Sequence, residues 1–236
     1  MKTLQTVHRK LFDQKLEWSR IDKQKALAHP EQLELLREAC LVESYLPVYT
    51  GKMMGLFWDD LDATTIFTIE SIEAYGHYYV LRRYLDTVGY KPVSDQEVLE
   101  LRERERRVVY TDQLRELVNF MGTEHFAAQF FMDMSQLMDE PVLVAVLPEF
   151  AAEEVVHSQF AFDLLQARIR NDPSAKDAIL QHARNFKHVG AYVRPYVPPA
   201  KGDNVRSIRA FNEKFEQLLG QRLSDFLVEE VPDHVP

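Results

Sequence analysis

The run Glu153-Glu154-Val155-Val156-His157 sets the sharpest limit on what this chain can fold into. It interrupts an apolar stripe of helical spacing: Phe150, Glu154, His157, Ala161, Leu164. A carboxylate and an imidazole one turn apart therefore share the face that the flanking residues bury. Taking an ionised carboxylate out of water without a partner is strongly unfavourable. Either the fold brings compensation to Glu154, as a Glu–His hydrogen bond inside a core or a bound cation, or the helix is rotated so that the pair stays in water.

The 236 residues suffice for one large core, and only eight of them are glycine, so turn signals are sparse. This predicts a mostly helical single domain over residues 1–236. The lone cysteine, Cys40, excludes an intramolecular disulfide framework and suits a reducing compartment. Met1-Lys2-Thr3-Leu4-Gln5 lacks the apolar run of a signal peptide, and no stretch has the length of a membrane span. The expectation is a cytoplasmic protein with no membrane insertion. A net charge of −9 argues against broad nucleic-acid binding.

Apolar spacing and capping signals divide the chain into helices over about 4–25, 31–52, 60–88, 94–109, 111–138, 140–171 and 174–188, then a loop over 195–203 and two shorter helices. Ser94 with Glu97 reads as a capping box, and Pro47 sits awkwardly inside the second helix. Four of the helices carry acids on faces that should be buried. Glu43 falls on the stripe Leu36, Cys40, Leu46, Thr50. Glu73 and His77 share a face with Ile66, Val80 and Tyr84; Glu70 is the alternative, on the stripe Ala74, His77, Leu81. Glu124 lies among Leu117, Met121, Ala128 and Phe131, and Glu154/His157 completes the series. Two helix pairs, each giving a Glu and then a Glu with a His, describe the ligand set of a carboxylate-bridged dinuclear metal site. The expected ligands are Glu43, Glu73, His77, Glu124, Glu154 and His157.

On these residues the chain resembles the soluble acyl-carrier-protein desaturases. The stretch from Glu140 to about Leu223, with its Ala-Ala-acid-Glu-x-x-His run, is similar to the C-terminal half of that family. Glu43-Ser44-Tyr45-Leu46-Pro47 and Arg83-Tyr84-Leu85 resemble two of its earlier segments. The resemblance implies a ferritin-like helical bundle with four long metal-bearing helices and a pair of iron ions, with manganese as the alternative metal. It also implies dioxygen as co-substrate, an apolar acyl chain (free or on acyl carrier protein) as substrate, a ferredoxin-type electron donor and a homodimer.

The departures bear on the same residues. Aligned through Leu46-Pro47 and Arg83-Tyr84-Leu85, the family's first two glutamate ligands fall on Ser44 and Ala74, so Glu43 and Glu73 each stand one residue early, about 100° around the helix. Val155 and Val156 replace basic residues, and Ala127 replaces the threonine near the oxygen site. Alongside a desaturase-like oxidoreductase, the sequence thus leaves open a hydroxylase or N-oxygenase, with His125 as an added ligand, and a non-enzymatic partner protein with a decayed first half-site. The arginines at 102, 104, 106 and 107 could face an acidic partner, although Glu100, Glu103 and Glu105 dilute that charge.

Overall fold

The computed structural model describes the backbone of residues 16–186 and 200–221, and the side chains of 16–186 and 208–221. A short 3-10 turn, Trp18–Arg20, precedes eight helices among the described residues: α1 Lys23–Leu27, α2 Pro30–Leu56, α3 Leu61–Val88, α4 Asp95–Arg107, α5 Gln113–Leu137, α6 Pro141–Asn171, α7 Ala175–Asn185 and α8 Ala200–Leu219. The chain is an all-α helical bundle. The expected first helix over 4–25 falls mostly outside the described residues, and its remainder, from Leu16 onward, forms the turn and α1 instead. One continuous helix, α8, already begins at Ala200 inside the expected loop; the close of the chain beyond 221 lies outside the described residues. No described helix is long and apolar enough to cross a membrane.

The ends of the long helices are set by local chemistry. Proline stands at the first turn of α2 and α6, where its missing N–H leaves no bond unmade. Asp60, Asp112 and Glu140 accept hydrogen bonds from free amides at the starts of α3, α5 and α6. The cap of α5 is thus Asp112, one residue beyond the expected Thr111. Gly89, at φ 81°, ends α3 in the left-handed conformation that favours glycine. Glu140 is fully buried and also accepts from Asp22 N at 3.1 Å, tying α1 to the start of α6.

Two apolar cores fix the directions of these helices. One contains Leu36 and Cys40 of α2, Leu81 and Leu85 of α3, Phe131 and Met134 of α5, and Leu143 and Leu147 of α6. The other contains Met53 of α2, Ile66 and Phe67 of α3, Leu117 and Met121 of α5, and Ala161 and Leu165 of α6, joined by Ile179 of α7 and Phe215 of α8. Reading α2 and α6 forward goes from the first core to the second; reading α3 and α5 forward goes the other way. So α2/α3 and α5/α6 are antiparallel hairpins, and the chain must travel the length of the bundle between α3 and α5. The crossover is α4, which runs alongside α2. Arg37 pairs with Glu97 at 2.5 Å, Arg102 Nε donates to the Ser44 carbonyl at 2.8 Å, and Lys52 donates to the Glu105 carbonyl. Helix α2 continues through Pro47 instead of ending there.

The expected capping box opens α4: Ser94 Oγ accepts from Glu97 N, and Glu97 accepts from Ser94 N at 2.9 Å. The Ser94 amide first, and the Arg37 guanidinium second, pull the Glu97 carboxyl down to about 2. A carboxyl lowered in the folded state adds stability that is present above its ordinary value of 4.5 and lost as the pH falls towards 2. The Glu97 side chain is 38% exposed, so screening and the strength of a single cap hold its contribution to about 1 kcal/mol. Glu97→Gln should lower the stability measured by urea unfolding at neutral pH by that amount. The gap to the parent should close as the pH drops below about 4.

Candidate metal centre

Between the two apolar cores, each long helix turns acidic or imidazole groups inward. Glu43, Glu70, His77, Glu124, Glu154 and His157 are all at most 3% exposed. They form two groups whose ligand-type atoms lie within 4.8 Å of one another: Glu43, His77 and Glu154 in one, Glu70, Glu124, Glu154 and His157 in the other. Glu154 belongs to both. Five of the six residues that the sequence pattern selects as ligands are therefore brought together.

Glu73 is not among them. Its side chain is one-third exposed and accepts from His157 Nε2 at 2.6 Å, on the outer side of the ring. Glu70 occupies the inward position, 2.7 Å from His157 Nδ1. The reason is helical phase. Glu70 and His77, seven apart, share a heading to within about 20°, whereas Glu73 stands about 60° from Glu70. The stripe Glu70, Ala74, His77, Leu81 is the buried one. Ser44 and Ala74 are also buried, but Ser44 Oγ donates to the Leu41 carbonyl at 2.7 Å. Glu43, one residue before Ser44, reaches the cluster.

A second relation escaped the sequence pattern. Glu153 accepts from His77 Nε2 at 2.8 Å, as Glu73 does from His157. Glu-x-x-x-His thus occurs twice, Glu73/His77 and Glu153/His157, and each glutamate holds the other pair's histidine across the antiparallel α3/α6 contact. The repeated spacing was the available signal. The equivalence breaks on the inner face, where Glu154 matches Ala74 and Glu70 matches Phe150. The Phe150 ring lies 4.1 Å from that of His77.

The outer carboxylates decide which atoms face inward. A carboxylate accepting from Nε2–H leaves the Nδ1 lone pair directed at the cluster, the tautomer that ligates a metal. His77 Nδ1 has carboxylate oxygens of Glu154 and Glu43 at 3.1 and 3.7 Å, and His157 Nδ1 has Glu70 and Glu154 oxygens at 2.7 and 2.9 Å. Yet His77 Nδ1 and both Glu70 oxygens lack hydrogen-bond geometry to any partner. Of these contacts, only His157 Nδ1 to Glu154 at 2.9 Å is a hydrogen bond. Buried polar atoms left in this way are costly unless a cation takes them.

Charge tells the same story. Burial raises Glu43 to about 7 and also raises Glu70 and Glu124. Burial opposes charge on the imidazoles as well, but the surrounding carboxylates, Glu153, Glu154 and Glu43 for His77 and Glu70, Glu154 and Glu73 for His157, keep both rings protonated well above the usual range. For Glu154, burial is outweighed by the hydrogen bond with His157 and the close contact with the His77 imidazole, which hold it well below the usual carboxylate range. Without metal, protons do the work of cations. Four carboxylates with two neutral imidazoles would be neutralised by two divalent ions.

Other polar and aromatic side chains have structural work. His125 lies against Phe126 and Phe211, outside both groups. Cys40 Sγ donates to the Tyr78 carbonyl, and burial raises its thiol far above the usual range. Arg106 and Arg107 pair with Glu103, and Arg82 pairs with Asp95. Phe67, Phe130, Phe131 and Phe162 are core residues.

No family model matches this chain, nor does any curated protein or solved structure. Fold and cluster define its class on their own: an all-α bundle with buried carboxylate and histidine groups that could hold a metal ion.

Glu70→Ala should remove binding at the His157 group, whereas Glu73→Ala and Glu153→Ala should weaken metal affinity about 10- to 100-fold, as loss of an orienting partner does; titration calorimetry separates these. The metal-free protein should lose stability as the pH rises through about 7, because the raised Glu43 carboxyl and both raised imidazoles favour the folded state only while protonated. Loaded protein should lack that decline, since ligation requires the deprotonated groups. Thermal melts across this range, with and without metal, test it.

Proposed function

We propose that this chain holds a dinuclear non-haem iron centre and uses dioxygen to oxidise an apolar substrate. The observation that carries the reading is the inward convergence of four glutamates and two histidines, with Glu154 common to both groups. Glu43 and His77 would hold one ion, Glu70, Glu124 and His157 the other, and Glu154 would join them. Oxygen and imidazole donors without thiolate suit iron, with manganese as the alternative.

A bound pair of ferrous ions supplies electrons for activating dioxygen, and hence the power to attack an unactivated C–H bond. The chain's own residues prepare that site. Glu73 and Glu153 orient the rings and raise their basicity. Phe120 and Phe150 lie over the two imidazoles, and apolar cores on both sides keep bulk water from the centre. Glu43 inside the cluster, and Glu70 supplying the carboxylate that Ala74 lacks, support a complete site over a decayed one. An acyl-type chain fits an oxidising centre set between apolar layers, and a ferredoxin-type protein is the class of donor that would renew its electrons. The arginine pairing along α4 favours a free chain over one on an acidic carrier protein. His125, packed among phenylalanines, gives no added ligand for N-oxygenation.

Protein produced with iron should contain close to two iron ions per chain and consume dioxygen after reduction. Glu154→Ala should bring it below one ion per chain, and His157→Ala should remove one ion. Less than one iron in the parent protein, unchanged by either substitution, would falsify the proposal.

A further inference from the structure

A stack of rings leads from the candidate centre to the surface. The His157 ring lies 6.5 Å from Phe120, Phe120 lies 4.9 Å from Phe67, Phe67 lies 6.4 Å from Tyr49, and Tyr49 lies 5.5 Å from Tyr110. Phe67 and Phe120 are buried in the second core. Tyr110 is half-buried in the link between α4 and α5, next to the exposed Val109. Its hydroxyl donates to Glu105, whose carboxylate oxygens lie at 2.9 and 3.2 Å. Glu105 is itself 8% exposed, and Lys52 Nζ lies 3.6 Å from it and 5.4 Å from the centre of the Tyr110 ring. The His77 ring, by contrast, packs on Phe131 and Phe150 within the other core.

Packing alone explains the phenylalanines. It does not explain why the stack ends on a phenol hydrogen-bonded to a buried, lysine-paired carboxylate. We propose that Tyr110 is a one-electron donor to the metal centre, connected to it through Tyr49, Phe67 and Phe120, with Glu105 as the acceptor of its phenolic proton. The inference rests on the dinuclear iron reading, because dioxygen acting at that centre is the oxidant. In each event one electron leaves the Tyr110 ring towards the centre, its O–H bond breaks, and the proton joins the Glu105 carboxylate. Lys52 offsets the charge at Glu105 before transfer. The phenoxyl radical is then reduced by a one-electron reductant from solution, such as a thiol or ascorbate, and recovers its proton from Glu105. The relay gives an oxidised centre without substrate an electron source other than its own ligands.

The test mixes ferrous-loaded protein with dioxygen and freezes it at successive times for electron paramagnetic resonance. Peptide mass mapping for oxidised tyrosine after repeated cycles serves as a second readout. A tyrosyl signal, or oxidation concentrated at Tyr110, is expected. Both should vanish in Tyr110→Phe, which should still bind iron and consume dioxygen. Glu105→Gln should lower radical yield at least about tenfold, the size of effect expected from loss of a positioned base. Tyr49→Phe, which keeps a ring in the stack, should retain the signal, and Tyr49→Leu should lose most of it. Tyr75→Phe, off the stack, should change nothing. Normal iron binding and oxygen uptake with no tyrosine oxidation, or with oxidation that survives Tyr110→Phe, overturns the relay and leaves the dinuclear reading standing. Failure to bind iron overturns both.

Discussion

The structure turns on one contact layer, in which carboxylates on four helices face two imidazoles between apolar cores. Every other feature accommodates it. The cores on either side set the rise of each helix, so that Glu43, Glu70, Glu124 and Glu154 arrive at one level. The crossover α4 is needed because α3 and α5 run the same way. The outer pairs Glu73–His157 and Glu153–His77 then fix the rotation of α3 against α6. Burying so many charges without cations is an expensive way to hold a bundle together, since apolar side chains of similar size would serve at least as well for stability. The cost makes sense if the layer is built for a ligand.

The two halves of the layer are not equivalent. The group around His157 has three glutamates and the group around His77 has two, with Glu154 counted in each. The repeated Glu-x-x-x-His pairs give the outer face a near two-fold symmetry, and the exchange of Ala74 and Glu70 for Glu154 and Phe150 breaks it inside. Ions held there would meet different numbers of carboxylates. The ring stack to Tyr110 leaves from the His157 side, the side richer in carboxylates.

Much of this was legible in the sequence because burial of a charged residue leaves a clear mark on an apolar stripe. Glu43, Glu124, Glu154 and His157 each interrupt such a stripe, and all four lie in the layer. The choice between Glu70 and Glu73 was harder, since both lie within about 60° of His77's heading and only the rotation of α3 against α6 separates them. The repeated Glu-x-x-x-His spacing is present in the sequence, but which histidine each outer glutamate holds is set by the antiparallel contact of α3 with α6. The ring stack is of the same kind, since its members come from α2, α3, α5, α6 and a link. From α2 to α7 the helix ends match the sequence reading to within a few residues, but Asp112 displaces Thr111 because its carboxylate reaches the Arg115 amide.

The most direct test is a crystal structure of the iron-loaded protein with anomalous scattering at the iron edge. Two peaks are predicted, one against Nδ1 of His77 and one against Nδ1 of His157, with the Glu154 carboxylate between them and Glu70, not Glu73, at the second. A single peak, no peak within this layer, or ligation through Glu73 in place of Glu70 would contradict the account.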